Sequence, residues 1–168
     1  MLPPTTDEFM LNRPGSVLAF ALRLPGYLYR WRLGWVFGHR FLLIVHIGRR
    51  TGALHQTVVE VLHYDSSSSE AVVMSGWGSR SDWFRNIEAA GIAEVVIGRR
   101  RFSTTHRVLD EEEASRILAD YERRNRWITP IVRKVLGALV GWKYDGSEQS
   151  RRSLVRQLPL IAFRPEVA

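Results

Sequence analysis

Short β-rich runs joined by tight turns are the feature of this sequence that most restricts its fold. The runs occupy residues 41–47, 57–64, 71–75, 93–97 and 101–108, and a last short one follows at 160–163. Parallel strands need crossover connections of about a dozen or more residues, and most of these turns are far shorter. The pattern therefore predicts an antiparallel sheet or a small barrel.

Helical periodicity appears mainly at the two ends of the chain. Helices are predicted at 16–37 with a break near Pro25, at about 81–91, at 110–125, at 130–142 and at 147–157. Because strands and helices are segregated, the fold class is α+β. We expect a flexible arm at 1–15 and one domain at 16–168, with a barrel core at 39–108 and the C-terminal helices and last strand at 110–165.

Composition excludes several classes of site. The 168-residue chain has a net charge of +7, all but two of its 24 basic residues are arginine, and it has no cysteine. Disulfide scaffolds, thiol catalysis and cysteine-based zinc sites are thereby excluded. Rossmann, P-loop and nucleophile-elbow motifs are missing, and the five histidines are scattered, so no metal site is predicted. The charge alone suits nucleic acid, anionic lipid or an acidic small molecule, but no nucleic-acid motif accompanies it, so no nucleic-acid partner is predicted.

The N-terminal apolar stretch does not resemble a membrane span. Arg23, Arg30 and Arg32 interrupt it, and Pro25 breaks it. Acidic residues precede it, whereas a secretory signal begins with basic ones. A cytoplasmic protein is expected. Two interpretations of the 17–37 helix stay open: it contacts the inner face of the membrane as an interfacial helix, or it packs on the protein's own core and covers a pocket.

The first turn with a chemical signature spans residues 48–52. It carries Arg49, Arg50 and Thr51 between two glycines, and His55 follows three residues later. Backbone amides, two guanidinium groups and a hydroxyl in one turn would form an anion pocket. The alternative is a hairpin tip with solvated arginines.

The second such turn runs from Ser75 to Trp83. Gly76 and its neighbours are small enough to let a ligand approach the backbone, and the following helix offers its N-terminus to an anion. Trp77 and Trp83 could stack on a planar ring. For Trp83 in particular, a place in the core is the alternative.

These pieces, in this order, resemble the deazaflavin-dependent nitroreductase and quinone reductase family, whose cofactor is coenzyme F420. The resemblance rests on Gly48–Gly52, on Ser75-Gly76-Trp77-Gly78 and on Trp83-Phe84-Arg85-Asn86-Ile87, and it covers roughly residues 39–108. It implies a split β-barrel of about six mostly antiparallel strands. The family usually has arginine at the position of His55 and lysine at that of Gly76, and its second turn is about two residues longer.

The resemblance also implies a function and a set of site residues. The expected activity is hydride transfer from reduced F420, with FMN as the less favoured cofactor, to a quinone, nitroaromatic or enone. The cofactor-binding residues it implies are Arg49, Arg50, Thr51, His55, Ser75, Gly76, Trp77, Trp83 and Asn86. Tyr144 is the candidate catalytic donor on the substrate side, or else a core tyrosine. The alternative function is a non-catalytic protein that binds FMN, heme or a lipid on the same barrel; the oligomeric state is left open.

Overall fold

The computed structural model describes residues 38–90 and 93–166. Its strands are β1 (Phe41–Ile47), β2 (Leu54–Asp65), β3 (Glu70–Met74), β4 (Ala93–Ile97), β5 (Arg100–Val108) and β6 (Leu160–Pro165). Its helices are α1 (Asp82–Ala90), α2 (Glu111–Arg124), α3 (Thr129–Val140) and α4 (Glu148–Gln157). The predicted arm at 1–15 and the predicted helix at 16–37 lie outside the described residues.

The six strands close into a barrel in the order β1-β2-β3-β6-β5-β4. Every pairing is antiparallel, including the β1–β4 pairing that completes the ring. The predicted class, α+β with a split β-barrel of about six mostly antiparallel strands, is confirmed. Since β6 lies between β3 and β5, the barrel needs the C-terminal strand as well as residues 39–108.

Strand alternation decides which side chains fill the barrel. On β1, Leu42 and Ile44 belong to the interior cluster and are fully buried, as expected for a period of two residues. The helix α1 closes one end of this interior, because Trp83, Phe84 and Ile87 pack into the same cluster. This packing holds α1 against the strands and fixes the polar residues on its other face.

A second apolar cluster lies between the barrel wall and the C-terminal helices. Residues of β2, β3 and β6 contribute to it, together with the buried faces of α2, α3 and α4. The N-terminus of α2 is capped by Asp110, whose side chain accepts a hydrogen bond from the Glu113 backbone amide. In the same layer the buried Glu122 carboxylate pairs with Arg133 at 3.0 Å and with Arg151 at 3.5 Å. None of the described helices is long and apolar enough to cross a bilayer.

The main difference from the sequence prediction is the start of β2. The strand was expected at residue 57, yet it begins at Leu54, which pairs with Ile47. The added residues Leu54, His55 and Gln56 are exposed and show no apolar alternation. Pairing with β1 makes them a strand, and this extension carries His55 to the position opposite His46.

Candidate functional site

The turn at residues 48–52 satisfies most of its own backbone donors. The Gly48 amide donates to the Ala53 carbonyl at 2.8 Å, and the Thr51 and Gly52 amides both donate to the Gly48 carbonyl. The Arg49 amide donates to Asn86 Oδ1 at 3.1 Å. The expectation that the amides of this turn form an anion pocket is therefore wrong for these four groups. An anion bound at the 48–52 turn would therefore be contacted by side chains.

Arg49 is fixed to helix α1 by its side chain as well as its backbone. One guanidinium nitrogen donates to Asn86 Oδ1 at 2.8 Å, and another donates to Asp82 Oδ1 at 3.0 Å. The Arg49 side chain is only 18% exposed, whereas that of Asp82 is 83% exposed. Charge-assisted bonds of this kind are short and directional. They connect the first turn to the helix that follows the second turn.

A hydrogen-bonded chain continues from Asn86 into the barrel end. The Asn86 amide nitrogen lies 2.9 Å from His46 Nδ1, and His46 Nε2 lies 3.2 Å from Thr57 Oγ1. His46 is 4% exposed. Burial, and then the neighbouring His55, lower the pKa of His46 below its ordinary value of 6.5, while Asp82 acts weakly in the opposite direction. The His46 and His55 rings are stacked with centroids 5.7 Å apart.

The remaining donors of this region face solvent. Arg50, Thr51 and His55 are all exposed, and no carboxylate in the described part of the chain pairs with Arg50. Gly48 allows His55 to lie against the turn, because a Cβ at Gly48 would come within 2.8 Å of His55 Nε2. Arg50, Thr51 and His55 thus form one exposed basic edge beside the fixed Arg49.

The second turn is closed by serine hydroxyls. Ser75 is fully buried, and its hydroxyl donates to the Gly78 carbonyl at 2.7 Å. The Ser75 and Ser81 hydroxyl oxygens are 2.6 Å apart. Gly78 has a φ of +60°, and a Cβ there would come within 2.4 Å of the Gln157 carbonyl oxygen. The turn is therefore packed directly on the end of α4, and its hydroxyls are engaged internally.

The two tryptophans of the second turn have different environments. Trp77 is 65% exposed, while Trp83 lies in the barrel interior, with its ring edge-on to Phe84. Trp83 thus occupies the core position that the sequence left as an alternative, and it presents no open face for stacking. Gly76 is near α3, since a Cβ there would lie 3.9 Å from Leu139.

Tyr144 lies apart from this arrangement, in the cluster under the C-terminal helices. It is 4% exposed, its ring is edge-on to Trp142, and its hydroxyl has no hydrogen-bond partner within the described residues. Burial raises the pKa of Tyr144, and the Glu122 carboxylate raises it further. The predicted catalytic hydroxyl is closed from solvent, so we do not include it in the proposed site.

Two residues of the site were not predicted from the sequence. Neither Asp82 nor His46 was among the residues selected from the sequence. A signal for His46 existed: it continues the inward-facing series Leu42 and Ile44 on β1, and a polar residue in such a series needs a partner. Nothing in the sequence indicated that the partner would be Asn86.

The comparisons with known proteins identify the family. The family model described as F420H(2)-dependent quinone reductase matches residues 32–128, more than half of the chain. The chain belongs to this family. It is accordingly an oxidoreductase, and its cofactor is F420. No curated protein matches the chain in sequence.

Solved structures with similar folds are distant in sequence. A protein of unknown function from Agrobacterium tumefaciens has 11% identity and a TM-score of 0.51, covering 94% of this chain and 58% of that one. The heme storage protein HutZ from Vibrio cholerae has 11% identity and a TM-score of 0.50, covering 84% of this chain and 92% of that one. An F420-H2 dependent reductase has 15% identity and a TM-score of 0.44, covering 76% and 96%. The first two show a shared barrel fold.

Proposed function

We propose that this protein passes a hydride from reduced F420 to a quinone or a similar conjugated acceptor, with the cofactor held at the exposed basic edge of Arg50, Thr51 and His55. The observation that carries this proposal is the fixed Arg49 beside Arg50, whose guanidinium pairs with no carboxylate of the residues that the structure describes. Asn86 and Asp82 hold the first guanidinium in place, and the second is exposed.

The donor set suits the charged part of this cofactor. F420 carries a phosphate and an acidic tail, and guanidinium groups are the preferred donors for both kinds of anion. Asp82 offsets part of the charge of Arg49, so Arg50 is the principal cation available to the ligand. Thr51 can donate its hydroxyl proton, since its Oγ1 already accepts from the Ala53 amide at 3.3 Å.

Apolar side chains lie next to this basic edge. Ile47 and Leu54, which pair across the turn, are 50% and 73% exposed, and neighbouring apolar side chains exposed together are typical of a binding surface. We propose that they contact the rings of the cofactor or of the acceptor. Trp77, which follows β3 at the same end of the barrel, offers a further exposed aromatic face.

The chemistry divides simply between cofactor and protein. When bound in its reduced form, F420 supplies the hydride, and the acceptor also takes up a proton from solvent. The residues of this chain bind and orient the two reactants, which accelerates the reaction by fixing their geometry. No side chain is needed as a covalent catalyst in this account.

Reoxidation of reduced F420 tests the proposal. Purified protein is mixed with reduced F420 and menadione, then with a nitroaromatic and with an enone, and the return of oxidised-cofactor absorbance is followed. We expect turnover with menadione. Binding of F420 without turnover on any member of the panel would contradict the proposed acceptor class. Native mass spectrometry that finds FMN, heme or a lipid instead of F420 would support the alternative of a differently loaded barrel.

Contact with a membrane is a separate part of the proposal. A quinone acceptor that is lipid-soluble would be reached most directly by a protein resting on the membrane surface, and the basic surface would favour anionic lipid. Sedimentation with anionic vesicles at low and high salt tests this. If the protein does not sediment with the vesicles at low salt, membrane contact is contradicted. The proposed reductase activity is tested separately by turnover.

A further inference from the structure

The hydrogen bonds around Asn86 determine the protonation state of His46. Asn86 Oδ1 accepts from both the backbone amide and the guanidinium of Arg49. The Asn86 amide nitrogen must therefore be the atom facing His46 Nδ1 at 2.9 Å. Because that nitrogen is a donor only, His46 Nδ1 must be unprotonated. The ring proton then lies on Nε2 and is donated to Thr57 Oγ1 at 3.2 Å.

We propose that His46 is a positioning residue, and that its neutral form with the proton on Nε2 holds Asn86, and thereby Arg49 and the 48–52 turn that carries Arg50, in the orientation needed for the anionic part of the ligand. The expected effect of His46 on F420 binding rests on the proposed function. The hydrogen-bonded chain from Arg49 through Asn86 to His46 does not depend on it. Second-layer partners commonly fix the orientation of binding groups in this way.

Protonation of His46 would break the chain. A proton on His46 Nδ1 would face the NH2 donor of the Asn86 side chain, so two donors would meet. Turning the Asn86 amide over would remove that conflict, but it would place the NH2 donor against the Arg49 donors. The titratable groups that act on His46 are His55 from β2 and Asp82 from α1, while Arg49 from the turn reaches it only through Asn86. Only Asp82 favours the protonated form, and its side chain is largely in solvent.

The sign of the pH effect follows from this environment. The pKa of His46 is lowered in the folded protein relative to its ordinary value of 6.5. Between pH 6.5 and the lowered pKa of His46, the unfolded chain binds a proton that the folded chain does not. The free energy of unfolding therefore falls as the pH decreases through this range. The positioning of Arg49 is present while His46 is neutral and is lost as the pH falls through the lowered pKa of His46.

The first test needs no cofactor. Long-range proton–nitrogen NMR of the histidine rings distinguishes the two neutral forms, and the resonance missing in His46→Gln identifies His46. We expect an unprotonated Nδ1 near neutral pH and a titration midpoint below 6.5. A proton on Nδ1, or a midpoint above 6.5, would overturn the proposal.

The second test uses two replacements at His46. Glutamine provides one acceptor and one donor without titrating, whereas leucine provides neither. We expect His46→Leu to weaken F420 binding about tenfold, the change that corresponds to one buried donor left without an acceptor. We expect His46→Gln to restore most of that affinity and to remove the loss of affinity at low pH. His63→Gln, on the neighbouring strand β2, is the matched control and should bind as the unaltered protein does.

The comparison is repeated with His55→Gln in every variant, which removes the imidazole that is stacked on His46 and belongs to the proposed binding edge. Equal F420 affinity in His46→Leu and His46→Gln would contradict the positioning role. If the unaltered protein binds no F420 while NMR shows the expected form of His46, the proposed cofactor site fails and the hydrogen-bonded chain stands. Far-ultraviolet circular dichroism of each variant confirms that it is folded.

Discussion

Asn86 Oδ1 accepts two hydrogen bonds from Arg49, one from its backbone amide at 3.1 Å and one from its guanidinium at 2.8 Å. A residue of helix α1 thereby fixes both the path of the 48–52 turn and the direction of its first arginine. The two residues are 37 positions apart. Since α1 is held by its packing into the barrel interior, the position of Arg49 depends on the core of the protein.

Replacing Asn86 with aspartate should reverse the behaviour of His46. One carboxylate oxygen can still accept from Arg49, but the other would face His46 Nδ1 and could only accept. The pKa of His46 should therefore rise above 6.5, which NMR titration of the ring measures. A folded-state pKa that is raised adds stability below the unfolded-state value, so Asn86→Asp should gain stability at low pH relative to high pH.

Gln149→Glu is the control for the charge change in Asn86→Asp, because Gln149 is exposed on α4. This variant should leave the His46 titration unaltered. Urea unfolding on either side of pH 6.5 compares the stability of both variants. An Asn86→Asp protein in which the pKa of His46 does not rise above that in the unaltered protein would contradict the assigned hydrogen bonds.

Introducing arginine at His55 should strengthen cofactor binding at high pH. Neutral histidine has no charge for the anionic ligand, whereas arginine is always protonated. An exposed charge pair contributes about 0.2–1 kcal/mol, so we expect His55→Arg to lower the Kd for F420 by up to about fivefold. Gln56→Arg adds the same charge at the next position of β2, where side chains point to the other face, and should change Kd less. An equal effect from both would indicate general electrostatic attraction instead of a local contact.

Alanine at Gly78 should destabilise the second turn. The residue has a φ of +60°, and the added Cβ would come within 2.4 Å of the Gln157 carbonyl. Gly141 has a φ of +79° with open space around it, so Gly141→Ala reports the backbone strain alone, about 1–2 kcal/mol. Thermal unfolding should show a clearly larger loss for Gly78→Ala. Equal losses would mean that contact with α4 does not constrain this turn.

Phenylalanine at Tyr144 should leave turnover unchanged within about twofold. The hydroxyl is buried and has no hydrogen-bond partner among residues 38–90 and 93–166, so its removal should cost no stability or raise the free energy of unfolding by up to about 1 kcal/mol. Tyr121→Phe is the contrasting variant, because the Tyr121 hydroxyl donates to Glu60 at 2.8 Å. That variant should be the less stable of the two. A large fall in turnover for Tyr144→Phe would restore Tyr144 as a catalytic candidate.

Local sequence patterns predicted most of the barrel. The strand β1 was expected at its observed bounds, and α2 was expected within one residue at each end, because apolar periodicity and a capping residue act over neighbouring positions. The first residues of β2 were missed since their strand conformation comes from pairing with β1. The position of β6 between β3 and β5 was likewise not predicted, because it pairs with strands far away in the chain.

The site was predicted as a set of residues and not as an arrangement. Arg49 and Asn86 were both selected from the sequence, but neither their contact nor the buried chain to His46 was foreseen. Backbone amides of the first turn were expected to bind an anion, whereas the Ala53 carbonyl, the Gly48 carbonyl and Asn86 accept their hydrogen bonds. Such assignments depend on distant partners, and a single sequence does not contain that information.

The most direct test of the account compares F420 with the same deazaflavin chromophore lacking its phosphate and acidic tail. Both are titrated into the unaltered protein and into Arg50→Ala, with Arg116→Ala, an exposed arginine of α2, as the control. We expect Arg50→Ala to weaken F420 binding about tenfold, which corresponds to the loss of one charged hydrogen-bond donor. Binding of the tail-less chromophore should stay unchanged. Equal F420 affinity in Arg50→Ala and Arg116→Ala would contradict the assignment of the cofactor's anionic part to this turn.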